Sequence, residues 1–229
     1  MRRALWISLS LVLALVSWSA VGADDGFYVI PSMRGNYAPV PKTGQTTSYI
    51  TWKCDDGYLQ KGVAWPTPRF TDNNNGTVTD NLTKLIWMKH ANCIATYYPE
   101  FDQDGSIGDG LVSWAHALDF VAGINIGMYP PCARGYSDWR LPNVRELLSL
   151  VSYGRYNPAL PDTLGTGKCA EGDPFWGVNS LYWSSSTLNP NNPDTDWSDF
   201  AWVVDFGAGY SDFWHKGNNL LVWCVRGGK

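Results

Sequence analysis

Aromatic side chains are the feature of this sequence that most limits its fold, because its 229 residues include 13 tryptophans and 12 tyrosines. Hydrophobic residues make up 45% of the chain and charged residues only 17%, with 23 glycines and 14 prolines. This composition is not that of a disordered chain, a coiled coil, a collagen or a simple helical bundle. We therefore expect a globular domain with a sizeable core.

The first 23 residues are predicted to be a secretory signal. Arg2 and Arg3 precede an apolar stretch from Ala4 to Val16, and Val21-Gly22-Ala23 is typical of a cleavage site. The alternative is an N-terminal membrane anchor, although the stretch is short for a span. We expect a protein that is secreted, periplasmic or on the cell surface, with no transmembrane segment in its mature chain.

The rest of the chain is predicted to divide into an extended or hairpin arm, residues 24–68, and one main domain, residues 69–229. The arm is rich in Gly, Pro, Thr and Tyr and lacks helical periodicity. The formal net charge is −4, and loss of the two signal arginines deepens it to about −6. Such a charge argues against nucleic acid as a partner.

The main domain is predicted to contain two helices and several antiparallel strands. Ser113 is suited to cap a first helix, and Asn143 with Glu146 has the pattern of a capping box before a second. Runs rich in β-branched and aromatic residues predict the strands, at residues 70–72, 77–80, 85–88, 181–184, 201–206 and 220–225. Two helices followed by antiparallel strands define an α+β fold.

The five cysteines are widely and unequally spaced, without a Cys-x-x-Cys pair: Cys54, Cys93, Cys132, Cys169 and Cys224. In an exported chain this favours disulfides over a zinc site. Because five is an odd number, at least one thiol stays free or pairs with another chain, and the sequence leaves the connectivity open. Among the possible pairs, the prediction is Cys132 with Cys224.

A series of motifs, in order along the chain, resembles one known family. The motifs are Arg69-Phe70-Thr71-Asp72, Gly76 to Thr83, Trp87, Trp114 to Leu118, Gly135 to Asn143, Tyr182-Trp183-Ser184-Ser185 and Val225-Arg226-Gly227-Gly228. They resemble the Lcl C-terminal domain family, named for a Legionella collagen-like adhesin. The resemblance implies a C-type-lectin-like fold, with two helices packed on a twisted antiparallel sheet, and a recognition role. Some members of this fold family have a diversified C-terminal face, so the resemblance leaves a diversified ligand-binding face open here.

Candidate ligand-binding residues lie near the C-terminus, where aromatic, amide and charged side chains occur together: Tyr210, Asp212, Phe213, Trp214, His215, Asn218 and Asn219. Aromatic rings of such a face stack on sugar rings or on a protein surface, and the polar groups add directional hydrogen bonds. The alternative is a twisted hairpin with half of its aromatic rings turned inward.

Calcium is the one cofactor that the sequence leaves open. Asp102, Asp104 and Asp109 supply carboxylates, which calcium prefers, but the loop lacks the glycine and glutamate positions of an EF-hand. A solvated turn is the alternative. C-type lectins that bind sugars through calcium share two motifs, and this chain departs from both. Asn189-Pro190-Asn191 lacks the first carboxylate of the one, and Trp197-Ser198-Asp199 lacks the middle asparagine of the other.

The expected function is an exported recognition or adhesion module that binds carbohydrate or another surface ligand through its aromatic-rich C-terminal face. The alternative is a protein-binding or assembly module that uses the arm or the odd cysteine. An enzyme is not expected, because His90, His116 and His215 fall in no nucleophile or metal motif. The named adhesin binds sulfated polysaccharides, but the negative net charge of this chain opposes attraction of such ligands. The oligomeric state stays open.

Overall fold

Two antiparallel sheets organise the part of the chain that the structure, a computed structural model, describes: residues 40–101, 105–189 and 196–228. The first sheet has the order β1-β2-β3-β7, with strands Phe70–Asp72, Thr77–Asp80, Ile86–Met88 and Val225–Arg226. The second has the order β4-β5-β6, with strands Leu181–Thr187, Phe200–Asp205 and Tyr210–His215. With the helices described next, this confirms the predicted α+β class.

Two of the helices begin where the sequence predicts. The first, α3 (Trp114–Asn125), is capped by the Ser113 hydroxyl, which accepts from the His116 N–H. The second, α5 (Val144–Leu150), begins with the predicted capping box of Asn143 and Glu146. Three shorter helices, which were not predicted, are α1 (Asp56–Leu59), α2 (Cys93–Tyr97) and α4 (Pro130–Ala133), and a 3-10 turn spans Pro99–Phe101.

Glu146 also links α5 to Arg140, which bridges to Val225 of the first sheet. The Arg140 guanidinium donates two 2.6 Å hydrogen bonds to the Glu146 carboxylate. Burial alone would raise the pKa of Glu146, but these bonds and the Asn143 N–H outweigh burial and lower it. Because α5 lies against β4, β5 and β6, the ion pair helps to fix the second sheet.

The tryptophan content of the chain is explained by a core that joins the two sheets. Trp223 is fully buried, and its ring contacts Trp87 of β3, Phe175, Tyr182 of β4 and Phe206 at 4.8–5.7 Å between centroids. Its indole N–H donates to the Met88 carbonyl at 2.7 Å. Since aromatic rings bury large apolar areas, this cluster contributes much of the core stability.

Of the strand predicted over 220–225, only Val225 lies in a regular strand, which is β7 (Val225–Arg226). Leu221 bridges to Tyr182 in the second sheet, whereas Val225 pairs with Trp87 in the first. The segment thus passes from one sheet to the other, and a change of partner interrupts a continuous ladder. The final residues close the first sheet, with Arg140 bridging to Val225.

The predicted Cys132–Cys224 disulfide is wrong, because Cys132 pairs with Cys93. These two residues lie in α4 and α2, with Cα atoms 6.1 Å apart, a normal separation for a disulfide. Cys224 lies instead in the core beside Trp223, where burial raises the pKa of its thiol to about 12. Cys169 is also a buried free thiol, and Cys54 is exposed.

Residues 40–68 make specific contacts with the rest of the described chain. Lys42 and Val63 are joined by a backbone hydrogen bond of 3.0 Å, and the Tyr153 N–H donates to the Thr43 carbonyl at 2.9 Å. The Arg69 guanidinium stacks on the Trp65 ring. The predicted signal, residues 1–23, and the first part of the predicted arm lie outside the described residues. Among the helices that the structure describes, none has the length and apolar character to cross a membrane.

Candidate functional site

Most of the predicted ligand-binding residues lie on β6, which is an edge strand. Their side chains divide between the two faces of the sheet. Side chains alternate along a strand, and directly opposed residues share a face. Trp214 opposes Ala201 and Tyr210 opposes Asp205, so Tyr210, Asp212 and Trp214 share one face. Phe213 and His215 lie on the other face. The residues that the sequence grouped together therefore form two separate surfaces.

The Trp214 face borders a cleft of about 340 Å³. Its lining combines a partly exposed indole, apolar side chains and polar groups: Asp109, Leu111, Asn179, Ser180, Leu181, Trp214, Asn219, Leu220 and Leu221. Leu220 and Leu221 are buried and provide an apolar floor, whereas 36% of Trp214 is exposed. The cleft thus places an aromatic wall beside amide and carboxylate groups.

One side of the cleft is built by a chain segment that runs antiparallel to the residues after β6. Val112 and Leu220 exchange two backbone hydrogen bonds of 3.0 Å, and the Trp114 N–H donates to the Lys216 carbonyl at 3.0 Å. At the start of this segment, the Asn92 side chain donates to the Asp109 carbonyl at 2.8 Å. These bonds fix Asp109 opposite the residues that follow β6.

The other side of the cleft is the start of β4. The Asn179 N–H donates to the Tyr182 hydroxyl at 2.9 Å, and the Ser180 carbonyl accepts from the Phe206 N–H at 2.7 Å. Burial raises the pKa of Tyr182, so its hydroxyl stays protonated and neutral. Asn179 and Ser180 are therefore held by the buried core rather than by a free loop.

The electrostatic environment of the Trp214 face is acidic. Asp109 lines the cleft, and Asp205 and Asp212 lie on the same sheet face as Trp214. The charge of Asp205 raises the pKa of the Tyr210 hydroxyl. Within the described part of the chain, no lysine or arginine lines the cleft. Lys216 is engaged elsewhere, because its ammonium lies 4.2 Å from the Trp114 ring centroid and donates to the Ser198 carbonyl.

The opposite face of the same hairpin carries a separate aromatic cluster. The Phe213 ring lies 5.8–6.1 Å from the rings of Trp197, Phe200 and Trp202, measured between centroids. The His215 ring packs edge-on to Phe200 at 5.4 Å. We call this group the outer aromatic cluster. Its rings contact one another, whereas the Trp214 ring faces the cleft.

Of the two predicted asparagines, Asn219 lines the cleft and Asn218 does not. Asn218 is exposed in a turn in which its N–H donates to the His215 carbonyl at 2.9 Å. Sequence reasoning did not assign Leu111, Asn179 or Ser180 to a site. These residues carry no motif, and only the pairing of distant segments brings them to Trp214.

The predicted calcium ligands are only partly within the described residues. Asp102 and Asp104 lie outside them, and Asp109 lies in the cleft, where its Oδ1 accepts from the Leu111 N–H at 2.8 Å. In the segments that the structure describes, no group of three His, Cys, Asp or Glu side chains is placed to hold a metal ion. Calcium binding by Asp102, Asp104 and Asp109 stays a prediction.

Comparison with protein families identifies the domain that contains this cleft. The model of the Lcl C-terminal domain matches residues 76–226, which include both sheets except β1 and every cleft residue. The chain belongs to the Lcl C-terminal domain family. The domains of this family are bacterial and surface-associated. No curated protein matches the chain.

Proposed function

We propose that this protein is an exported recognition or adhesion module that binds carbohydrate in the cleft beside Trp214. The observation that carries the proposal is the combination of a partly exposed indole, an apolar floor and the polar side chains of Asp109, Asn179 and Asn219. An aromatic ring stacks on the apolar face of a sugar, and amides and carboxylates bind its hydroxyl groups. Family membership supports a role in surface adhesion.

The proposal includes a C-type-lectin-like fold and a non-catalytic role. The antiparallel sheets, the helices α3 and α5, and the return of β7 to the first sheet support the fold. The histidines of the described chain have different partners: His90 lies beside Tyr97, His116 at the Ser113 cap and His215 against Phe200. Each of these histidines contacts a different neighbour, and this supports binding rather than catalysis.

A glycan array probed with the purified chain, with calcium and with chelator, tests the proposal. We expect specific sugars to bind the wild-type chain and not the Tyr210→Ala/Trp214→Ala variant, provided that both unfold at similar temperatures. Loss of binding in chelator would assign calcium a role. An array without specific binding would contradict the carbohydrate function.

A protein-binding or assembly role is the second candidate, and the outer aromatic cluster favours it. Phe213 is 39% exposed, and its neighbours Trp197, Phe200 and Trp202 are half-buried. Aromatic residues are enriched in the centres of protein interfaces. In that case Phe213→Ala would abolish binding to a surface protein, soluble glycans would not compete, and Trp214→Ala would have little effect.

A further inference from the structure

We infer that the cleft takes a sugar that carries a protonated amino group, a hexosamine, and that Asp109 determines this specificity. The inference rests on the proposed carbohydrate function and narrows its ligand to one chemical class. It depends on the charges around the cleft rather than on its shape alone.

Asp109 is a fixed negative charge in the lining of the cleft. Its Oδ1 accepts from the Leu111 N–H at 2.8 Å, and its main-chain carbonyl accepts from the Asn92 side chain at 2.8 Å. An ionised carboxylate only accepts hydrogen bonds. A sugar ammonium group offers three donors and a positive charge, so it forms a charge-assisted bond that a neutral hydroxyl group does not match.

The neighbouring strands add negative charge to the same side. Asp205 and Asp212 lie on the sheet face that carries Trp214, and the raised pKa of Tyr210 reflects the charge of Asp205. Lys216, which follows β6 closely, is committed to the Trp114 ring and the Ser198 carbonyl. A sulfate or carboxylate group in the cleft would therefore meet the Asp109 carboxylate, with Asp205 and Asp212 on the neighbouring sheet face, and no cation from the described lining.

The remaining lining suits the rest of a hexosamine. Trp214 and the floor of Leu220 and Leu221 offer apolar contact to a ring face, and the amide groups of Asn179 and Asn219 offer hydrogen bonds to hydroxyl groups. The Asn179 Oδ1 also accepts from the Ser180 N–H at 2.9 Å. Asp109 then supplies the charge by which the cleft distinguishes an amino sugar from its N-acetylated counterpart. N-acetylation removes the positive charge and adds bulk.

Titration calorimetry at low salt tests this inference with three probes: a β-linked glucosamine trisaccharide, its fully N-acetylated counterpart and heparin. We expect the glucosamine trisaccharide to bind most tightly. In Asp109→Asn, which keeps the acceptor for Leu111 but removes the charge, its affinity should fall about tenfold, because a hydrogen bond between charged groups is lost. The affinity for the N-acetylated trisaccharide should change by less than about twofold. Asp199→Asn, which removes an equal charge outside the cleft lining, should change the affinity for the glucosamine trisaccharide by much less than Asp109→Asn does.

Two kinds of result would overturn the inference in different ways. Equal affinity for the free and N-acetylated trisaccharides, tightest binding of heparin, or an unaffected Asp109→Asn variant would refute the amino-sugar class while leaving carbohydrate binding intact. Failure of every sugar, here and on the glycan array, would refute the proposed function and this inference with it. Thermal unfolding of each variant establishes that it is folded.

Discussion

The buried ion pair between Arg69 and Asp80 provides a sharp prediction for stability. Neither side chain has any exposed surface. The Asp80 carboxylate accepts from the Arg69 Nε and Nη2 at 2.9 and 3.1 Å, and also from the Leu82 N–H and the Thr83 hydroxyl, both at 2.8 Å. Arg69 donates in turn to the Ser149 carbonyl of α5 at 2.7 Å. The pair thus connects the first sheet to the helix that packs on the second.

Asp80→Ala leaves the Arg69 charge buried without its partner, and we expect it to lower the free energy of unfolding by about 3–5 kcal/mol. This is a large share of a typical domain stability of about 5–15 kcal/mol. Urea denaturation followed by tryptophan fluorescence measures the change. The matched control is Asp138→Ala, because its 2.7 Å ion pair with Arg226 is solvent-accessible, with Asp138 57% exposed. Its expected cost is below about 1 kcal/mol. If the two variants lost equal stability, the reasoning from burial would be refuted.

Three further predictions follow from other contacts. Cys93→Ala/Cys132→Ala opens a loop with a sequence separation of 39 residues, and in the chain-entropy model this lowers the free energy of unfolding by about 4 kcal/mol; an unchanged urea midpoint would contradict it. Glu146→Gln should destabilise the chain at neutral pH by about 1 kcal/mol. Because the native pKa of Glu146 is lowered, this difference should vanish as the pH falls through that pKa, and a difference that persists in acid would count against the ion pair. Iodoacetamide should label Cys54 in the native protein and Cys224 only after unfolding, as read by peptide mass spectrometry; rapid native labelling of Cys224 would contradict its burial.

Local signals in the sequence were sufficient to predict the two principal helices. Ser113 and the Asn143–Glu146 pair act on backbone groups within three residues, so their geometry depends little on the rest of the fold. The pairing of β1 with β2 is similarly local, because only the turn residues Asn73 to Gly76 separate the two predicted strands. These elements could be placed from residue type and spacing alone.

The site depended on long-range contacts that no local pattern encodes. Asp109, Asn179 and Trp214 lie far apart in sequence and meet because Val112 pairs with Leu220 and β4 pairs with β5. Trp214 was predicted as a site residue because the stretch around it is rich in aromatic and amide residues. The same prediction placed Phe213 in the same site. Strand alternation separates the two rings, and that requires knowing that the stretch is a strand.

The prediction of a Cys132–Cys224 disulfide was wrong for a related reason. Cys132 and Cys93 lie on α4 and α2, two short helices that were not predicted, so their proximity was not apparent. Cys224 lies in the stretch predicted as a strand, and it is buried in the core as a free thiol. Spacing along the chain does not determine which thiols approach each other.

The most direct test of the account compares Trp214→Ala with Phe213→Ala in titrations against the tightest glycan from the array. The two residues are adjacent on β6 and similarly exposed, at 36% and 39%, but they lie on opposite faces. We predict that Trp214→Ala weakens binding by at least about tenfold, because the stacking ring is lost, and that Phe213→Ala leaves the affinity unchanged. Equal losses in both folded variants, or a loss only in Phe213→Ala, would contradict a sugar site in the cleft.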